Sequence, residues 1–420
     1  MTTTTARAPA IRWGTAVVAL VTGAVAATGP AAAAQDRDGA RDRDRPTLRA
    51  VELLVAEGAP GVTVHATDTN GVWKTAIGVG DLRTGKKRGE NDRFRAASVT
   101  KTFVATVLLQ MEAEGKLDLD DTVERWLPDL VRGHGHDGRK ITIRRLLNHT
   151  AGIYDYTDDP GFRRTYVHEG FQKHRYDTLR PTEIVRIAMA HPPNFEPGTA
   201  FRYSNTGYVL AGMIIDRVSG TSYEDEVRDR IIEPLGLRGT TAPGDRVRLP
   251  KPSGRAYSKL SPHPNATEIH DVTELNPSQG RAMGDIVSTA ADLDRFMGAL
   301  MRGELLPPEQ LAAMRTTTPG GYGLGIQRVP TRCGAAVWGH GGIGPGTLSY
   351  AMTTEDGRHR VALNLNGDWS LTRQTFGRVA DAEFCGIDPG APSKATAKDA
   401  EPDALPSLPT LPSPNGTDPR

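Results

Sequence analysis

The sequence predicts an α/β fold of the α+β kind, in which one antiparallel sheet flanked by helices carries a mostly helical insertion lobe. Three observations lead there. Strand-like stretches open the folded part, with "GVTVHATDT" and "VWKTAIGVGDL" on either side of Asn70-Gly71. Strand patterns return only near the other end, in "GYGLGIQRV", "AAVWGH", "GTLSYAMTT" and "RHRVALNLNG". Helical periodicity and long loops fill the space between, from Leu117 to Leu275. Strands at both ends with helices between them argue for a single sheet closed by the two ends of the chain, and a site would then lie in the crevice between the lobes.

Each element has its own signal. Asn-Gly between alternating runs is a type I′ hairpin signature. "FRAASVTKTFVATVLLQMEAEGKLDL" places Phe103, Val107 and Met111 four apart with Gly115 as a stop, which predicts a helix. In the insertion, "TIRRLLNHTAGI", "TEIVRIAMAHP" and "GYVLAGMIIDRVSG" carry helical segments. Thr289 and Asp292 are spaced as a capping-box variant at the start of a helix over Ser288–Leu305. A last amphipathic helix is expected in "SLTRQTFGRVADAEF".

A chain of 420 residues can bury one large core or two medium ones. Its formal net charge of +1 gives no bulk attraction to nucleic acid, which is not expected as a partner. Residues 1–34 read as a signal peptide: Arg7 and Arg12 precede the apolar "WGTAVVALVTGAVAATG", and "AAAAQ" offers cleavage near Ala34. Export without a stable membrane anchor follows, with the mature protein extracellular and monomeric. "QDRDGARDRDRP" alternates charge and lacks apolar residues, so residues 35–48 read as a solvated linker. The folded domain spans 49–386, and the Pro- and Ala-rich 387–420 is expected to be a disordered tail. In an exported chain the two cysteines, Cys333 and Cys385, suggest one disulfide.

The chemistry is concentrated in three short motifs. Ser98 and Lys101 form the only Ser-x-x-Lys of the chain, and Tyr203-Ser204-Asn205 the only Tyr-x-Asn. His-x-Gly occurs three times, but only His340-Gly341-Gly342 ends an apolar strand and precedes a Gly-rich turn. Residues three apart on a helix share a face, so the heads of Ser98 and Lys101 can meet. A serine hydroxyl needs a nearby base to attack a carbonyl. A solvated lysine, with a pKa of about 10.4, cannot be that base, whereas a buried one can. Tyr203 would relay a proton to the leaving group. Asn205 would help hold Lys101 and donate to the substrate, and the helix amino terminus would aim the Ser98 N–H at a developing oxyanion. "HGHDGRK" lacks further ligands at metal-binding spacing and reads as a solvated loop, so no metal is assigned.

Taken with "FRAASVTKTF", "LLNHTAGIYDYT", "FRYSNTGYVLAGMIID", "STAADLDRF", "YGLGI" and "WGHGG", these motifs resemble the serine beta-lactamase and penicillin-binding protein superfamily over roughly Arg49 to Gly386. The chain most resembles its secreted serine D-alanyl-D-alanine carboxypeptidases, with class C beta-lactamases and related esterases as cousins. The resemblance implies a cofactor-free acyl-enzyme mechanism on peptidoglycan-like peptides, with beta-lactams acylating Ser98. It also implies a second oxyanion donor at the backbone N–H of Ile343, just after Gly342, and a cationic or polar role for His340 near the tyrosine. The sequence departs from that pattern where a substrate carboxylate is usually held. Gly341 and Ile343 carry no hydroxyl, Gln327 stands where an arginine is sought, and Arg328 alternates to the far side of its strand, leaving Thr347 and Arg332 as substitutes. An endopeptidase, an esterase, a beta-lactamase or a D-amino-acid amidase of the same machinery, or a non-catalytic relative, are the alternatives.

Overall fold

A computed structural model describes residues 45–263, 265–369 and 373–390. The leader, most of the linker and the tail beyond residue 390 lie outside these. Among the described residues, no helix is long and apolar enough to cross a membrane.

The domain opens with a helix rather than a strand. Helix α1 (Pro46–Ala56) starts inside the stretch read as linker, with Pro46 at its first position, and buries Thr47, Ala50, Val51 and Leu54 along one stripe. Arg45 anchors its start by donating to Asp68 (2.9 Å) and Glu383 (3.3 Å), and Thr47 donates to Glu383 (2.6 Å). Charge therefore continues up to the helix, and the boundary was hidden by the Arg- and Asp-rich run before it.

Strands β1 (Gly61–Asp68), β2 (Gly71–Asp81) and β3 (Lys86–Lys87) come from the start of the domain. Strands β4 (Gln327–Val329), β5 (Val337–Gly344), β6 (Thr347–Thr354) and β7 (Arg360–Leu365) come from its end. They form one antiparallel seven-stranded sheet in the order β4-β5-β6-β7-β1-β2-β3. The two ends meet where β1 pairs with β7, Val62 opposite Leu365 through Thr67 opposite Arg360. The β1–β2 turn is not type I′: Asp68 pairs with Gly71, and of Thr69, Asn70 and Gly71 only Gly71 takes a positive φ, at 122°. The Asp68 carboxylate accepts from the Asn70 N–H (2.7 Å), so a side chain closes the turn.

One face of the sheet packs on α1 and the last helix, α6 (Arg373–Cys385), around Val51, Val62, Leu348, Leu363 and Val379. The other face packs on the insertion lobe. There α2 (Thr100–Ala113) is buried almost all round, and Phe103 stacks on Phe296 of α5 (Ala290–Met301) with centroids 3.8 Å apart. Thr289 caps α5 by accepting from the Asp292 N–H (3.1 Å), while Asp292 reaches outward to Gly239 and Thr240. The insertion also contains α3 (Pro181–Met189) and α4 (Asn205–Ser219). The "HGHDGRK" segment is not simply solvated. His134 and the buried His136 donate to the carbonyls of Met189, the last residue of α3, and of His191 just beyond it.

Cys333, after β4, is joined to Cys385 at the end of α6, closing a separation of 52 residues. In the chain-entropy model a loop of this length stabilises the fold by about 4 kcal/mol. Replacing both cysteines with serine is expected to lower the unfolding free energy in urea by that amount. An unchanged midpoint at unchanged slope would show that the bridge contributes nothing.

Candidate active site

Ser98 sits in a 3₁₀ turn (Ala97–Val99) that runs into α2, rather than at a simple helix cap. Ala97 takes a positive φ of 47°, uncommon for a residue with a side chain, and the Ser98 that follows is half-buried between the buried Ala97 and Val99. One turn on, the Lys101 side chain is completely buried. Its Nζ lies 3.0 Å from Ser98 Oγ, 2.8 Å from Asn205 Oδ1 and 2.7 Å from the Met283 carbonyl. Burial pulls the Lys101 pKa down to about 7, against the opposing charge of Asp155. A neutral amine has two N–H groups and one lone pair. If the two N–H groups go to Asn205 and Met283, the lone pair is left facing the Ser98 hydroxyl.

Asn205 is itself oriented. Its Nδ2 donates to Asp155 Oδ2 (2.9 Å) and Thr157 Oγ1 (3.2 Å), which turns Oδ1 toward Lys101. Both amide hydrogens are thereby engaged. Asn205 holds Lys101 as the sequence suggests, but it does not offer the substrate-facing donor expected of it.

Tyr203 stands across from the pair. Lys101 Nζ lies 4.9 Å from the centre of its ring. Burial, reinforced by Tyr322, raises the Tyr203 pKa well above the ordinary tyrosine value. The phenol therefore stays protonated near neutrality, whereas the amine can lose a proton there. Beneath it lies His149, whose ring centre is 4.1 Å from that of Tyr203 and 4.6 Å from that of Tyr322. Its Nδ1 accepts from the Ser204 N–H (3.2 Å), and burial together with the Lys101 charge lowers its pKa well below the usual value.

His340 is buried on β5 and is not cationic. Burial, then the charge of Lys101, lowers its pKa to about 3. Its Nδ1 donates to the Gly341 carbonyl (2.6 Å) and its Nε2 meets the Tyr322 hydroxyl (2.8 Å), so it serves as a polar group next to Tyr322. Gly342 packs hard against the nucleophile's segment: a Cβ there would lie 2.3 Å from Ala96 O and 2.9 Å from Ser98 N. Since β4 covers only residues 337–339 of β5, the stretch from His340 to Gly344 presents an edge unpaired by β4, and β5 is in contact with the Ala97–Val99 turn. Ile343 lies on this edge, paired on its other side with Leu348.

The positions considered for a substrate carboxylate are occupied by other work. Gln327 donates to Tyr350 (3.2 Å), and Arg328 points to solvent. The Arg332 backbone and side chain both bind Asp381 (2.7 Å each). Thr347 donates to Arg95 O and accepts from Asn364. Asp155, His149, Met283 and Tyr322 are site members that sequence reasoning did not single out. Of these, Asp155 and His149 fall within the quoted "LLNHTAGIYDYT".

A buried lysine between a serine and a phenol, at the seam of a helical lobe and an antiparallel sheet, defines a serine hydrolase. The chain belongs to the beta-lactamase family, whose model matches residues 44–384. It is similar to a D-stereospecific amidohydrolase from Streptomyces sp., at 49% identity and a TM-score of 0.76, over 81% of this chain and 98% of that one. A D-amino acid amidase from Ochrobactrum anthropi SV3 superposes at 29% identity with a TM-score of 0.69, again over 81% and 98%. A penicillin-binding protein of Bacillus subtilis (strain 168) is 28% identical over 72% of this chain, which spans 66% of that relative's length.

Two outcomes are expected. First, kcat/KM rises with pH through an acid limb near 7, because only the neutral Lys101 amine accepts the serine proton; a limb near about 10.4 would mean an ordinary, solvated lysine. Second, Gly342→Ala displaces the Ser98 backbone and lowers kcat by roughly 100-fold while circular dichroism stays unchanged.

Proposed function

We propose that the protein is an exported acyl-transfer hydrolase of D-amino acid amides and peptides, acting through Ser98, Lys101 and Tyr203. Ser98 Oγ attacks the carbonyl as its proton passes to Lys101. Tyr203 passes a proton to the departing amine and regains one from the Lys101 ammonium, and water then hydrolyses the ester on Ser98. The backbone N–H groups of Ser98 and Ile343 would hold the oxyanion. No step calls on a metal or an organic cofactor. Export, with loss of the 1–34 leader, agrees with the Cys333–Cys385 bridge, since such bridges persist in oxidising surroundings.

The observation that carries the choice of substrate is the engagement of Gln327, Arg332 and Thr347 with protein partners and the outward direction of Arg328. A terminal carboxylate entering this site would leave water without a charged partner, which is costly. An uncharged amide end meets no such penalty. The carboxypeptidase specificity implied by the sequence resemblance is therefore the weaker of the two, and the similarity to D-amino-acid-directed amidohydrolases supports the stronger.

A side-by-side assay decides between them. A D-amino acid amide should be cleaved faster than its L enantiomer, and faster by about tenfold or more than an acyl-D-Ala-D-Ala peptide with a free carboxylate. Labelled penicillin should tag the peptide containing Ser98, and Ser98→Ala should abolish both turnover and label. Faster cleavage of the free-carboxylate peptide would overturn the amidase assignment.

A further inference from the structure

The Met283 carbonyl that meets Lys101 is presented by a short irregular turn, and the turn has its own clamp. Ala282, just before Met283, takes a positive φ of 62° and is fully buried. Helix α4 leaves room for it only because residue 212 is glycine: a Cβ there would lie 2.5 Å from the Ala282 Cβ. At the far end of the turn stands Asp285, only 2% exposed. Its Oδ1 accepts from the Ala282 N–H (3.1 Å) and from the Tyr223 hydroxyl (2.6 Å). Its Oδ2 has no partner among the described residues. On the other side, Arg281 is fixed by Asp216 and Glu224. Immediately after Asp285, the Ile286 N–H donates to Thr100 and its carbonyl accepts from Ala96, so the turn is tied directly to the segment that carries Ser98.

We propose that Asp285, with Tyr223, is a positioning residue: it holds Ala282 in its left-handed conformation and so keeps the Met283 carbonyl on Lys101 Nζ. Asp285 touches neither the serine nor the substrate. Its effect passes through one hydrogen bond, which fixes where the amine's N–H points and therefore where its lone pair points. What the turn requires is an acceptor at Oδ1, not a charge. Burial pushes the Asp285 carboxyl up to about 7, with Glu224 raising it further while Tyr223 and Arg281 oppose, and the buried Arg95 also faces it. The group loses its charge near neutrality without losing its acceptor.

The proposal rests on Lys101 being the base, and the variants separate the two ideas. Asp285→Asn keeps an acceptor at Oδ1 and is expected to retain kcat within about threefold, with the acid limb of the pH profile unmoved. Asp285→Ala is expected to lose kcat by on the order of 10- to 100-fold with little change in KM, and its acid limb should move to lower pH, because the ammonium form of Lys101 loses an acceptor. Tyr223→Phe, which removes one donor and no acceptor of the turn, should fall between them and covers the case in which Asp285→Ala does not fold. A folded Asp285→Ala enzyme with normal kcat and limb would overturn the proposal. So would an Asp285→Asn variant as impaired as Asp285→Ala, or a fall in kcat with an unmoved limb. A crystal structure of Asp285→Ala, or of Tyr223→Phe if the alanine variant is unstable, gives a readout independent of substrate. If the Met283 carbonyl keeps its hydrogen bond to Lys101 in the alanine variant, Asp285 does not position it, whatever the enzyme cleaves.

Discussion

A lysine amine sealed from solvent lies at the centre of the site, and much of the surrounding structure serves to keep it there in a usable form. An unpaired buried ammonium is costly, and a group so placed lowers its pKa instead of remaining charged. Lys101 has done so, to about 7, while keeping three hydrogen-bond partners within 3.0 Å. Two of these, Asn205 Oδ1 and Met283 O, come from different segments, α4 and the turn before α5. The third is the nucleophile. Burial leaves the amine free of its third proton near neutrality, and its hydrogen-bond partners decide where the lone pair points.

The electrostatics around this amine have one sign of control. Asp155 is a buried carboxyl whose influence raises the Lys101 pKa, and it reaches the lysine through Asn205 rather than by direct contact. Everything else nearby is held neutral. His149 and His340 have pKa values pushed down by burial and by Lys101 itself. Tyr203, Tyr322 and Tyr208, whose ring centre lies 5.4 Å from Lys101 Nζ, have theirs pushed up by burial. A cationic histidine at either place would drive the lysine pKa lower still, and a direct carboxylate contact would lift it out of the working range. Neutral aromatic walls with one relayed negative charge leave it between those limits.

How much of this was legible in the sequence follows from what kind of signal each part carries. Ser98, Lys101 and Tyr203 announce themselves by residue type at a fixed spacing on a strongly periodic helix and in a singular motif, and the fold does bring them together. The sheet was legible as well, because alternating runs at both ends of the chain have few other uses. Met283 was not, since a backbone carbonyl has no residue signature. Asp285 and Asp155 are ordinary acids among 50, distinguishable only once their burial is known. Helix α1 was obscured by the charged run before it. Asn205 was assigned one role too many, because the sequence gives no hint that Asp155 and Thr157 consume both of its amide hydrogens. The type I′ turn failed for a similar reason, with the Asp68 side chain supplying the closure that positive φ at Asn70 would otherwise supply.

The parts that make an acyl-enzyme and the parts that would recognise the end of a substrate lie on different elements. The nucleophile and its amine are set by the packing of α2, α4 and the 281–286 turn, inside a close-packed core where small displacements are resisted. Recognition of a carboxylate would instead depend on single side chains along β4, β5 and the start of β6, where Gln327, Arg328 and Thr347 are each committed elsewhere. Changing one of those side chains leaves the lysine's three hydrogen-bond partners untouched. A fold divided in this way can keep one mechanism while its substrates change from free-carboxylate peptides to amides or esters, and shared machinery in such a chain is evidence for the reaction before it is evidence for the substrate.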